Sequence, residues 1–350
     1  MKKLVLLSTL VVALFSCKTD FDINAPYEKI PIVYGILDQE EDTQFIKINK
    51  SFLGTNNTEY SKINDSLYFT NVTARVEELD EFEGVGRVWQ LQSKVVTVDE
   101  NKGIFFTGTQ RVYYFVPTIP LDPTKNYRII GEGDGKKFSS KTNIIDGFGF
   151  ANPFRLTGFR EIILSGGVGT YGLLRPKWVQ STEAESYDVT LRFFYTEHKN
   201  GSQTQKYIDW KMGSKNPTTS SNTIEIETNT EAFFTLLSNS AQLKDTTGVT
   251  KRVINTCDVR VTSANFTLNT YIGVNKPNQS ISFDKPDYTN IEGGRGVFGS
   301  RYTAVITFPG LSDKSIEELF LGSYTTDFKF CTDDTAPALA PYFCPWLAIS

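Results

Sequence analysis

Short runs that alternate apolar with polar residues, closed by Gly, Pro, Asn or Asp, constrain this chain most. Val72, Ala74 and Val76 alternate with Thr73, Arg75 and Glu77, the period-two signature of a strand with one face buried. Similar runs occur at Ile32–Leu37, Phe45–Ile48, Val95–Val98, Ile104–Phe106, Val112–Val116 and Tyr127–Ile130. Tyr187–Phe193 alternates cleanly, and its return run Tyr207–Trp210 lies beyond Asn200-Gly201; an Asn-Gly pair between such runs is a strong hairpin signal. Further strands are expected at Val259–Val261 and Thr303–Phe308. With 26 Phe and 16 Tyr among 350 residues, the composition also suits strands. The expected fold is mainly β, with two sandwich-like domains over 30–145 and 150–350. Gly147, Gly149 and Pro153 mark the boundary between them.

Two helices are expected in the second domain. Thr228-Asn229-Thr230-Glu231 fits a capping box, followed by Phe233, Leu236, Leu237 and Ala241 on one helical face. Ser315–Leu321 is a shorter candidate that ends at Gly322. Leu121–Ile129 resembles the tyrosine corner of immunoglobulin-like and fibronectin-type domains, with Tyr127 at the strand start. Trp178 ahead of Tyr187 also looks fibronectin-like.

The N-terminus supplies an address. Lys2 and Lys3 precede the apolar run Leu4–Phe15, and Ser16 leads into Cys17. The run is too short for a membrane span, which needs about 20 residues, and it has the form of a secretory signal over 1–16. Cys17 resembles the lipobox cysteine of bacterial lipoproteins, which implies diacylation at its sulfur, a lipid anchor and an outer-membrane location. Residues 17–29 then read as a tether. Cys17-Lys18-Thr19-Asp20-Phe21-Asp22 also resembles the short signals that send some Bacteroidota lipoproteins to the outer face. A soluble tether with no such role is the alternative.

The remaining chemistry is sparse. A formal net charge of −4, more negative once Lys2 and Lys3 leave with the signal, gives no reason to bind nucleic acid. His198 is the single histidine and is expected at a hairpin tip, which disfavours histidine-dependent catalysis. Gly167–Gly172 and Gly294–Gly299 both match G-x-G-x-x-G, but neither has a helix-opening context, so both read as glycine-rich β structure. Glu77–Gly84 reads as a solvated acidic turn, with calcium binding the alternative. Gly131–Gly135 reads as a hairpin turn. Cys331 and Cys344 bracket a short segment and are the expected disulfide, leaving Cys257 as a core thiol. The aromatic tail Pro341–Trp346 is expected to pack on its own domain. No cofactor, metal centre or catalytic residue is expected.

The loop Asn290, Gly293, Gly294, Arg295, Gly296, Phe298 and Gly299 admits two readings. As scaffold, it is a bulged turn whose Phe298 plugs the second domain; as function, it presents Arg295 and backbone groups to a partner.

Three stretches together, Pro31–Asp38 with Phe45–Gly54, Tyr127–Ile129 with Ser139–Thr142, and Tyr288–Gly299, resemble an uncharacterised family of Bacteroidota lipoproteins. Arg295 departs from the small or aliphatic residue usual at that point. Members often accompany TonB-dependent outer-membrane receptors, so the resemblance implies a non-catalytic binding or accessory role beside such a receptor or another envelope protein. A fimbrial or adhesin subunit and a carbohydrate-active hydrolase are the rival readings.

Overall fold

The computed structural model describes residues 28–51, 67–98, 108–157, 161–276, 287–333 and 342–344. The signal segment, Cys17 and the Ile104–Phe106 run lie outside the described residues. The chain is mainly β and sandwich-like. Its first eight strands are β1 (Pro31–Leu37), β2 (Gln44–Lys50), β3 (Val72–Leu79), β4 (Val85–Gln90), β5 (Gln92–Val98), β6 (Gly108–Phe115), β7 (Asn126–Gly133) and β8 (Lys136–Asn143). Short strands follow at β9 (Ser165–Gly167), β10 (Thr170–Tyr171), β11 (Leu173–Leu174) and β12 (Lys177–Val179). The long hairpin is β13 (Ser186–Lys199) and β14 (Ser202–Lys215). The remainder are β15 (Thr223–Glu225), β16 (Thr228–Asn229), β17 (Val249–Ala264), β18 (Arg295–Phe308) and β19 (Phe330–Cys331).

A four-stranded sheet in the order β4-β3-β7-β8 packs against part of a nine-stranded sheet in the order β14-β13-β17-β18-β1-β2-β6-β5, with β19 beside β17. Val33, Leu37, Ile46, Ile48, Tyr113 and Phe115 of the larger sheet meet Ala74, Val76, Tyr127, Ile129 and Phe138 of the smaller in one core. Alternation along each strand makes this layer. In β1, Val33 and Leu37 are buried while Tyr34 and Ile36 face outward. The tyrosine corner forms as expected: the Asp122 amide donates to the Tyr127 hydroxyl at 2.6 Å, and that hydroxyl also reaches Glu78 at 3.1 Å. A second corner stands in the other half of the chain, where the Ser181 amide donates to the Tyr187 hydroxyl at 2.8 Å. Trp178 packs on the Tyr187 ring with centroids 5.5 Å apart.

The second core lies under the long strands. Tyr187, Val189, Leu191 and Phe193 of β13, Val259 and Val261 of β17 and Phe308 of β18 point inward. Helix Glu231–Asn239 covers them with Phe233, Phe234 and Leu237, and helix Asp313–Leu321 with Ile316 and Leu319. The first helix forms without its capping box, since the Thr230 side chain makes no cap bond and its hydroxyl instead joins the Gly172 backbone. A third helix, Phe266–Asn275, was not foreseen; the Asn265 side chain caps it by accepting from the Leu268 amide at 3.0 Å. Asn200 and Gly201 close the hairpin with φ of 51° and 78°, the left-handed pair of a type I′ turn.

Arg252 anchors this half. It is fully buried, and its guanidinium donates to Glu197 at 2.9 Å and to the Leu243, Phe328 and Asp245 carbonyls at 2.8–3.1 Å. Those contacts tie β13, the helical turn Ala241–Lys244 and the segment before β19 to β17. Cys331 and Cys344 form a disulfide, while Cys257 is buried in β17. Of the tail, Tyr342 packs its ring on Phe320 at 5.2 Å.

The expected division at residues 145–150 needs correction, because β18 serves both halves. Arg295–Ser300 pairs in parallel with β1, and Arg301–Phe308 pairs antiparallel with β17. Ile291 and Phe298 belong to the core of the first sandwich. The first sandwich is therefore completed by a strand from late in the chain.

Candidate functional site

The loop at Asn290–Gly299 is built as scaffold. Phe298 is fully buried, but it plugs the first sandwich rather than the second. The physical reason is Gly35 opposite it on β1: a Cβ there would lie 2.8 Å from the Phe298 ring, so only glycine leaves room. Gly296 has φ of 112°, and a Cβ there would collide with the Val33 carbonyl oxygen. Gly293 and Gly294 also pass close to the Lys137 and Pro31 carbonyls, and Gly299 lies under Leu268. The Asn290 side chain acts as a surrogate strand: its Oδ1 accepts from the Phe298 amide at 2.9 Å and its Nδ2 donates to the Phe298 carbonyl at 2.8 Å. Arg295 is exposed and ion-paired with Asp287.

The other sequence candidates also fall into structural roles. His198 sits in β13 beside the hairpin tip, opposite Gln203. Gly167–Gly172 forms the β9–β10 turn, and Gly169 donates its amide to Glu318 at 2.7 Å. Gly294–Gly299 enters β18. In the acidic run only Asp80–Gly84 is a turn, with the Asp80 carboxylate accepting from the Phe82 and Gly84 amides at 2.9 and 2.7 Å. Glu77 is buried, not solvated, between Arg75 and Arg128 at 2.6 and 2.7 Å. Burial opposes its charge, but the hydrogen bonds from Arg128 and Arg75 outweigh that and hold its carboxyl below the ordinary value. Among the described residues no group of His, Cys, Asp and Glu is placed to hold a metal ion. In Gly131–Gly135 the turn is confined to Asp134 and Gly135.

A different place stands out along β18. Where β1 ends at Leu37, opposite Ser300, β18 runs on alone at that edge. A groove of about 1220 Å³ opens there, above the range of about 300–1,000 Å³ usual for small-molecule pockets. Its lining includes seven consecutive residues of β18, Arg301 to Thr307. Outward side chains of the neighbouring strands extend the surface: Thr262 and Arg260 of β17, Thr190 and Arg192 of β13, and Asp209 of β14. The turn Asp38–Glu41 stands at one end, and the segment from Phe148 to Arg155 forms the flank.

Most charges here are already matched. Arg192 grips Asp209 through two bonds of 2.7 and 2.9 Å and lies over the Tyr207 ring at 4.0 Å. Its guanidinium pKa is raised, chiefly by the bond to Asp209. Arg260 is 3.6 Å from Asp258, whose carboxylate accepts from the Thr307 hydroxyl at 2.7 Å. Arg301 reaches Asp38 at 3.1 Å and Glu41 at 4.0 Å. Gln44 braces the acidic turn by donating to the Asp38 and Glu41 carbonyls, both at 2.7 Å. Tyr302 packs on Phe148 at 5.0 Å, and burial, then the acids Glu40 and Asp38, push its phenol pKa up. Arg155 has no carboxylate partner among the described residues.

The two sides of β18 explain why the groove is open. On the side away from β1, Arg295–Ser300 is closed by asparagines: Asn290 serves Phe298, while Asn265 accepts from the Ser300 amide at 3.3 Å and donates its own amide to the Ser300 carbonyl at 3.1 Å. In Arg301–Phe308 β17 occupies one side, and no strand among the described residues pairs on the other. Sequence reading missed this site because an edge depends on where the neighbouring strand stops. The only local signal is Val259-Arg260-Val261-Thr262, whose alternation places Arg and Thr on an outward face.

No family model matches the chain, and no curated protein matches it.

Proposed function

We propose that this chain is a non-catalytic lipoprotein of the cell envelope, anchored through Cys17 to the outer membrane, and that it acts as a binding or accessory component for an outer-membrane receptor or another envelope protein. The address rests on the signal and lipobox-like residues and on the resemblance to receptor-associated lipoproteins. The observation that supports a binding role is the open groove beside Arg301–Phe308. It offers strand edge, hydroxyls and ion-paired side chains, a surface suited to holding a partner. The same edge favours one second reading, a fimbrial subunit in which a copy of this chain donates the missing strand. That reading requires ladders of polymer on native gels.

Two arms test the proposal. Cys17→Ala is expected to abolish lipid labelling and membrane retention; a variant still in the membrane fraction contradicts the anchor. Gently solubilised envelopes, passed over the anchored wild-type chain, are expected to yield a stoichiometric envelope protein. Recovery of the chain alone contradicts the accessory role.

A further inference from the structure

We infer that the unpaired edge of β18 receives an extended polypeptide segment by strand addition, a segment with acidic residues toward its N-terminal end and basic residues toward its C-terminal end. The inference rests on the binding role above and names the chemistry of its partner. Arg301–Phe308 is eight paired positions of β17–β18 ladder, roughly 25 Å of strand. Along it, the alternate N–H and C=O groups directed away from β17 have no ladder partner among the described residues. Such a row is a template for another strand. Natural edges are commonly blocked by lysine, proline or a bulge, and none stands here: the run is Arg301-Tyr302-Thr303-Ala304-Val305-Ile306-Thr307-Phe308 in regular register. Val305 is 45% exposed within it.

Charge along the edge gives the segment its direction. Asp38, Glu40 and Glu41 stand at the Arg301 end, where Arg301 neutralises only part of their charge. Arg155, without a carboxylate partner among the described residues, stands toward the other end, since the adjoining Phe154 ring lies 5.8 Å from Phe308. Antiparallel pairing, the commoner and slightly stronger arrangement, sets the incoming C-terminal half beside the acidic turn and the N-terminal half beside Arg155. Alternate side chains of the segment then face the Thr and Arg surface of β17 and β13.

The test is selection of a random-peptide phage library on the full chain, followed by binding and hydrogen exchange with the enriched peptides. Expected peptides are β-branched and alternating, acidic before basic. Val305→Lys and Val305→Glu are expected to weaken them about tenfold or more while leaving the melting temperature in place. Amides within 301–308 are expected to gain protection on binding. Failure to enrich any peptide, binding by both variants as tight as that of the wild type, or protection confined to residues outside 301–308 would each overturn the inference. So would concentration-dependent self-association lost in Val305→Lys, which assigns the edge to a second copy. An envelope partner retained by Val305→Lys would remove strand addition and leave the accessory role standing.

Discussion

The two halves of β18 are one strand in two environments. Arg295–Ser300 is closed on both sides, by β1 and by the side chains of Asn290 and Asn265, and it drives Phe298 into the first core. Arg301–Phe308 is closed on one side only, by β17, and borders the groove. The contrast separates what the strand does for stability from what it offers to a partner. Backbone groups in a dry environment must be paired, so the fold supplies asparagines where no strand reaches. Where water can reach, the unpaired groups cost little, and the edge stays available.

Substitutions can break this contrast, beginning with the largest effect. Phe298→Ala removes a fully buried ring and is expected to cost about 3–5 kcal/mol in denaturant unfolding. A cost near zero would mean that the first core closes without β18. Asn290→Ala strips the surrogate strand from the Phe298 amide and carbonyl, at an expected 1–3 kcal/mol or about that for buried groups left unsatisfied. If it melts like the wild type, the asparagine is ornamental. Acid sharpens the picture of the first sandwich further. Because the folded-state pKa of Glu77 lies below its ordinary value of 4.5, its stabilising effect is present above that value and is lost as pH falls through the folded pKa. Glu77→Gln should therefore flatten the fall in stability below about pH 4.5, and an unchanged acid limb would contradict the buried pairing. The smallest effect belongs to the open half: Val305→Lys is expected to change stability by no more than about 0.5 kcal/mol. Strong destabilisation there would show that the edge is covered.

Much of the fold was legible because alternation is a local property. β1, β2, β3 and β7 appear close to where Val33, Ile46, Val76 and Ile129 demand buried faces, and Tyr127 announces its corner through the residues just before it. β4 was hidden by its largely exposed, weakly alternating run Val85–Gln90. Helix Phe266–Asn275 was hidden because its Thr, Ile and Val are poor helix formers; tertiary packing of Leu268 against Gly299 decides it. The glycines of Asn290–Gly299 were legible as backbone latitude, but not the identity of the core that Phe298 enters. That depends on β18 pairing with β1, more than 250 residues away in sequence. The groove was the least legible feature, since it exists only because β1 stops at Leu37 while β18 continues.

Amide hydrogen exchange along β18, in the free full-length chain, tests the central contrast most directly. The Phe298 and Ser300 amides, which donate to Asn290 and Asn265, are expected to exchange only on global unfolding. Within 301–308, amides facing β17 should be protected and the alternate ones facing the groove should exchange quickly. Uniform protection across all of β18 would contradict the account, because it would mean that the second edge is already occupied.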